Sequence, residues 1–151
     1  MSGTSDRRKR ITGLAAIALR DALAGDMKAA MATVTQISDQ TGGAGLEYAM
    51  RGWCDSLIVR YRSVTGSPDD AVIRPAWVDG DSGRVDFNAD DVPAQARWAG
   101  RMISARAAMD QGTWNALMAA LPRDGYVIGD HVAALLGMVA GTLNALKAGA
   151  S

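Results

Sequence analysis

Between Val132 and Leu146 the chain offers a helix no polar face to turn toward water. Val132, Leu135, Leu136, Val139, Leu143 and Leu146 recur at helical spacing on a broad stripe, and the opposite side carries Ala134, Gly137, Met138 and Gly141. Thr142 and Asn144 are the polar interruptions before Lys147. A helix that is apolar all round has to be buried, at the centre of its own domain or against a second copy. This one is shorter and richer in glycine than a membrane span of about 18–20 apolar residues, so no span is expected. Glycine costs a helix about 1 kcal/mol relative to alanine, so Gly137 and Gly141 predict the close approach of another backbone, from this chain or from a dimer mate.

The rest of the chain reads as helical hairpins. Ile11, Leu14, Ala18 and Ala22 form one stripe over 11–24, Gly25 interrupts it, and Asp26 is placed to cap a second helix carrying Met27, Ala30, Met31, Val34 and Ile37. After Gly42-Gly43-Ala44-Gly45, the residues Leu46, Met50, Trp53, Leu57, Tyr61 and Val64 predict a third helix, with Glu47, Arg51 and Asp55 on its solvent side. Trp98, Met102, Ala105 and Met109 mark a fourth helix starting near Pro93, a fifth runs from about Thr113 to Leu121, and Asp130 is expected to cap the last. The fold class is therefore mainly all-α, a bundle of five to six helices. Residues 1–10 read as a basic tail, 11–147 as one helical domain and 148–151 as a short C-terminal tail. Residues 66–92 read as a loop and insertion in which a β-hairpin near 76–87 turns at Asp79-Gly80-Asp81-Ser82-Gly83.

Charge and cysteine content narrow the function classes. Sixteen basic and sixteen acidic residues cancel, so the chain lacks the overall positive field of a non-specific nucleic-acid binder. The local excess is Arg7, Arg8, Lys9 and Arg10, four candidate phosphate contacts. A single cysteine, Cys54, excludes an intrachain disulfide or a Cys-x-x-Cys site, and its apolar neighbours Trp53, Leu57 and Ile58 predict a buried, inert thiol. Cytoplasmic localisation is expected. Arg7-Arg8 ahead of an apolar run has the look of a twin-arginine signal, but Arg10 and Arg20-Asp21 interrupt that pattern.

No chemical motif outweighs its structural explanation. Gly80-Asp81-Ser82-Gly83 has the sequence of a serine-protease nucleophile loop, yet His131 is the one histidine and no barrel surrounds it. Asp79, Asp81 and Asp90 sit at calcium-loop positions, with Arg84 where that loop needs glycine. Asp130-His131 reads as a helix start. No catalytic residue, cofactor or metal is expected. The stretch Ala24 to Met31, with Leu14, Ile17, Ala18, Gly25, Ala30 and Val34, resembles one tetratricopeptide-type hairpin of about 34 residues, without that repeat's aromatic positions or an array, and implies a helical hairpin. A faint internal match at a shift of 86 pairs Ile17, Arg20, Ala22, Leu23, Ala30 and Met31 with Ile103, Arg106, Ala108, Met109, Ala116 and Leu117.

Three functional readings follow. The first is a non-enzymatic interaction or regulatory module, homodimeric or bound to a protein partner, with Gly137, Gly141, Met138, Trp98 and Trp114 as its candidate surface. The second is a nucleic-acid-associated regulator that contacts phosphates through the Arg7 to Arg10 cluster and through Arg97, Arg101 and Arg106. The third is a ligand-binding protein or enzyme with a pocket lined by Trp77, Trp98 or Trp114.

Overall fold

A computed structural model describes residues 2–66, 77–78, 85–86 and 93–150. It is mainly α-helical: among the described residues five helices run α1 Ser2–Leu23, α2 Met27–Thr65, α3 Ala94–Ala107, α4 Gln111–Ala119 and α5 Gly125–Ala150. The chain divides into two compact units, Met1–Trp53 and Cys54–Ser151, where one helical domain over 11–147 was expected. Of the insertion, Trp77–Val78 and Val85–Asp86 are paired antiparallel, with Trp77 opposite Asp86. These four residues are all that is described of the β-hairpin expected near 76–87; its turn, and the rest of 67–92, lie outside the described residues.

The helix boundaries follow local chemistry. Gly25, at φ +84°, ends α1. Its N–H donates to the Ala22 carbonyl at 3.0 Å, and the Asp26 N–H donates to the Asp21 carbonyl at 2.9 Å. This pair of bonds closes a helix on a left-handed residue that glycine adopts without a Cβ penalty. Asp26 then accepts from the Ala29 N–H at 3.1 Å and caps α2, as its position in the sequence predicts. The second and third expected helices form one element, α2, broken at Gly42 (φ +70°, ψ −165°). That backbone region is essentially reserved for glycine.

Three boundaries differ from expectation. Residues 2–10 belong to α1 instead of forming a tail, and α5 continues through most of the expected 148–151 tail. α5 also begins at Gly125, so Asp130 lies in its second turn and caps nothing there; the Ile128 N–H reaches back to the Asp124 carbonyl at 2.9 Å. A pattern of apolar spacing starts at the first strongly apolar residue and so misses the polar opening of α1.

In the first unit the buried apolar side chains are Ile11, Ala15, Ala18, Ala22, Ala30, Val34, Ile37, Leu46, Ala49, Met50 and Trp53. The small alanines of α1 bring its backbone close enough for Trp53 Nε1 to donate to the Ala15 carbonyl at 3.0 Å. In the second unit α3 packs on α4 and α5. Trp98 Nε1 donates to the Leu117 carbonyl at 3.0 Å, and the Trp98 ring meets His131 edge to face with centroids 5.3 Å apart. His131 Nδ1 lies 2.7 Å from the Val127 carbonyl, so that nitrogen carries the proton.

α5 is buried at Val132, Leu135, Leu136, Met138, Val139, Ala140 and Thr142. The stretch Val127–Gly149 is long and apolar enough to cross a membrane by length and composition, and 39% of its apolar window is buried inside the fold. A core helix meets the same two criteria.

Candidate functional site

The sequence-level candidates separate into core and surface. Trp98, Trp114 and Met138 are buried, so they pack the interior and do not form an interaction surface; their spacing shows burial and not which neighbour buries them. Gly137 and Gly141 are half-buried. A Cβ built at Gly137 meets no atom within 4 Å, so no described part of this chain makes the expected close approach there. Of the basic cluster, Arg8, Lys9 and Arg10 are exposed along α1, while the Arg7 guanidinium donates to the Thr41 carbonyl at 2.7 Å. Arg97 and Arg101 are exposed. Arg106 is engaged within the second unit, as described next. The Trp77 side chain lies outside the described residues.

The feature the sequence reading missed is the junction between α3 and α4. Met109 was expected on the apolar stripe of the fourth helix. Instead α3 stops at Ala107, and Met109 takes a left-handed conformation (φ +54°) with 90% of its surface exposed. Its N–H donates to the Arg106 carbonyl at 3.1 Å and the Asp110 N–H donates to the Ala105 carbonyl at 2.9 Å, the same closure that Gly25 makes in the first unit. Here a methionine occupies the glycine position, which costs about 1–2 kcal/mol. Asp110 then caps α4, accepting from the Thr113 N–H at 3.0 Å and the Thr113 hydroxyl at 2.6 Å. Asp26 and Asp110 are 84 positions apart, not 86, so the residues matched at a shift of 86 do not occupy equivalent places around the two turns.

Beside Met109 lies a cavity of about 570 Å³ lined by the end of α2, the end of α3 and the start of α4. Val59, on its rim, is 70% exposed. Asp55 and Arg106 close one side with a two-pronged ion pair, Nε to Oδ1 at 2.8 Å and Nη2 to Oδ2 at 3.0 Å. Of the Glu47, Arg51 and Asp55 run on the solvent side of α2, Arg51 pairs with Glu47 at 2.8 Å, and Asp55 turns to Arg106. Arg62 donates to the Ala107 carbonyl at 3.1 Å, satisfying the C-terminal end of α3. The signal available in the sequence was Val59, an apolar residue off the stripe of its helix, followed by an Asp-x-x-Thr cap at 110–113.

The electrostatics are structural. The hydrogen bond to Asp55 raises the pKa of Arg106 above its ordinary value. The hydroxyl and then the amide of Thr113 lower that of Asp110. Burial, reinforced by the neighbouring Asp55 charge, pushes the Cys54 thiol up to about 12, so it stays protonated and is no nucleophile at neutral pH. Among the described residues no group of three or more His, Cys, Asp or Glu side chains gathers to hold a metal. Comparison with family models, curated proteins and solved structures finds no match.

Because the Asp110 carboxylate is stabilised by its cap, its contribution to stability is present above the unfolded carboxyl pKa and is lost as pH falls through the lower folded value. Asp110→Ala should therefore lower the melting temperature at neutral pH and flatten the acid limb below about pH 4. Thermal unfolding followed by circular dichroism across that range is the measurement.

Proposed function

We propose that the chain is a non-catalytic α-helical bundle serving as a protein–protein interaction module, and that it pairs with a second copy through the face bearing Val59 and Met109. The observation that carries the reading is Met109 itself, an apolar side chain 90% exposed on a backbone conformation unfavourable to it. Strain of this kind persists where the surroundings over-determine it, and it is concentrated at functional positions. A two-fold interface needs one patch to supply both partners of every contact. This patch carries a protruding methionine beside a cavity, so it offers its own complement in shape.

Multi-angle light scattering over a range of concentrations tests it. The native chain is expected at about twice its 15.8 kDa mass. Met109→Gly, which removes the protrusion and relieves the left-handed backbone, should give a monomer of equal or greater stability. A native chain that stays monomeric at high concentration, or a Met109→Gly dimer as tight as the native one, overturns the proposal.

Exposure of Arg8, Lys9 and Arg10 on one helix supports the nucleic-acid reading as an alternative. Arg7 and Arg106 are committed to intramolecular bonds, which leaves that reading with fewer cations than the sequence offers.

A further inference from the structure

We infer that Gly42 is a hinge between two conformations of α2, one folded at the break and one continuous, and that Arg7 is the latch that selects the folded one. Helical backbone runs on both sides of the break, so closing it requires a change at one residue's dihedral angles. The four residues Gly42-Gly43-Ala44-Gly45 carry no side chain larger than a methyl group, and a helix accepts all of them, with glycine merely less favourable than alanine.

Two features belong to the folded form alone. Gly42 sits at φ +70° and ψ −165°, a conformation closed to residues with a Cβ. At Gly45 an added Cβ would overlap Oγ1 and Cβ of Thr41 and would lie 3.4 Å from Ile11 Cδ1, so the fold at the break uses the space a side chain would fill. Thr41 is itself buried, its hydroxyl turned back to the Ile37 carbonyl at 2.6 Å. Alanine at either glycine is therefore excluded from the folded form and favoured in the continuous one.

The latch comes from another helix. In an unbroken helix the Thr41 carbonyl would accept from the N–H four residues on. In the folded form the guanidinium of Arg7 donates to it at 2.7 Å, a charged donor at the C-terminal end of a helical segment, where a cation is favoured. Arg7 is on the exposed side of α1, so the latch is open to competition from solvent. The Trp53 bond to the Ala15 carbonyl ties the segment beyond the break to the same helix and acts in the same direction.

Double electron–electron resonance between spin labels at Lys28 and Tyr48, both exposed, reads the hinge directly; the buried Cys54 takes no label. A continuous helix separates these positions by about 30 Å, and the folded form is shorter. The native chain should show the shorter distance. Gly42→Ala should move the distribution to about 30 Å with helical circular dichroism retained. Arg7→Ala should raise the longer-distance fraction about tenfold, the factor that losing one charge-assisted hydrogen bond gives, and Arg20→Ala on the same helix should leave it unchanged. A short distance in Gly42→Ala, a long one accompanied by loss of helix, or an Arg7→Ala distribution equal to that of Arg20→Ala would overturn the inference.

Discussion

Trp53→Ala is expected to cost the chain about 3–5 kcal/mol of unfolding free energy, the range for emptying a buried aromatic site. Trp53 is 1% exposed, and its neighbours along the chain, Met50, Cys54 and Leu57, are equally enclosed, so the vacated volume has little means of collapsing. The substitution also removes the indole donor that reaches the Ala15 carbonyl. Trp53→Phe separates the two losses: most of the ring volume stays, and the residual cost should be near the ~1 kcal/mol of a single neutral hydrogen bond. Urea unfolding followed by circular dichroism measures both. Equal losses for the two variants would mean that the hydrogen bond, and not the packing, holds α1 at Trp53.

The second large effect is a contrast of sign on adjacent residues of α5. Leu136 is fully buried, and Leu136→Ala should destabilise by about 2–5 kcal/mol. Gly137, its neighbour, has nothing within 4 Å of an added Cβ and lies inside a long helix. Gly137→Ala should stabilise the isolated chain by about 0.5–1 kcal/mol, from the lower entropy of the unfolded state and the better helix propensity of alanine. Unfolding curves of the two variants against the native chain decide the matter. A loss on Gly137→Ala would mean that another molecule, such as a second copy, packs its backbone there.

Helix content was legible because it rests on periodicity, and periodicity is a property of neighbouring residues. Asp26 capping α2, the buried stripe of Leu46, Met50, Trp53 and Leu57, and the inert Cys54 all came from spacings of three or four. The candidate site was not legible. Met109 continues the apolar spacing of Trp98, Met102 and Ala105, so a pattern that counts residues places it in the core. Its exposure follows from the helix ending two residues earlier, which depends on backbone bonds to Arg106 and Ala105 that no side-chain pattern encodes. The Asp55–Arg106 pair spans 51 residues, and a separation of that size has no local signature.

The last helix divides the two kinds of information most clearly. Its composition alone requires burial, since a helix without a polar face has no stable place in water, and Val132, Leu135, Leu136 and Val139 are enclosed. Which side would remain open was a matter of tertiary packing. α3 lies against α5, and Gly137 is left with free space where its sequence predicted a close neighbour. The physical reason is general: hydrophobic burial is set by how much apolar surface a segment carries, which sequence specifies, whereas contact is set by which segments arrive at that surface, which only the folded chain decides.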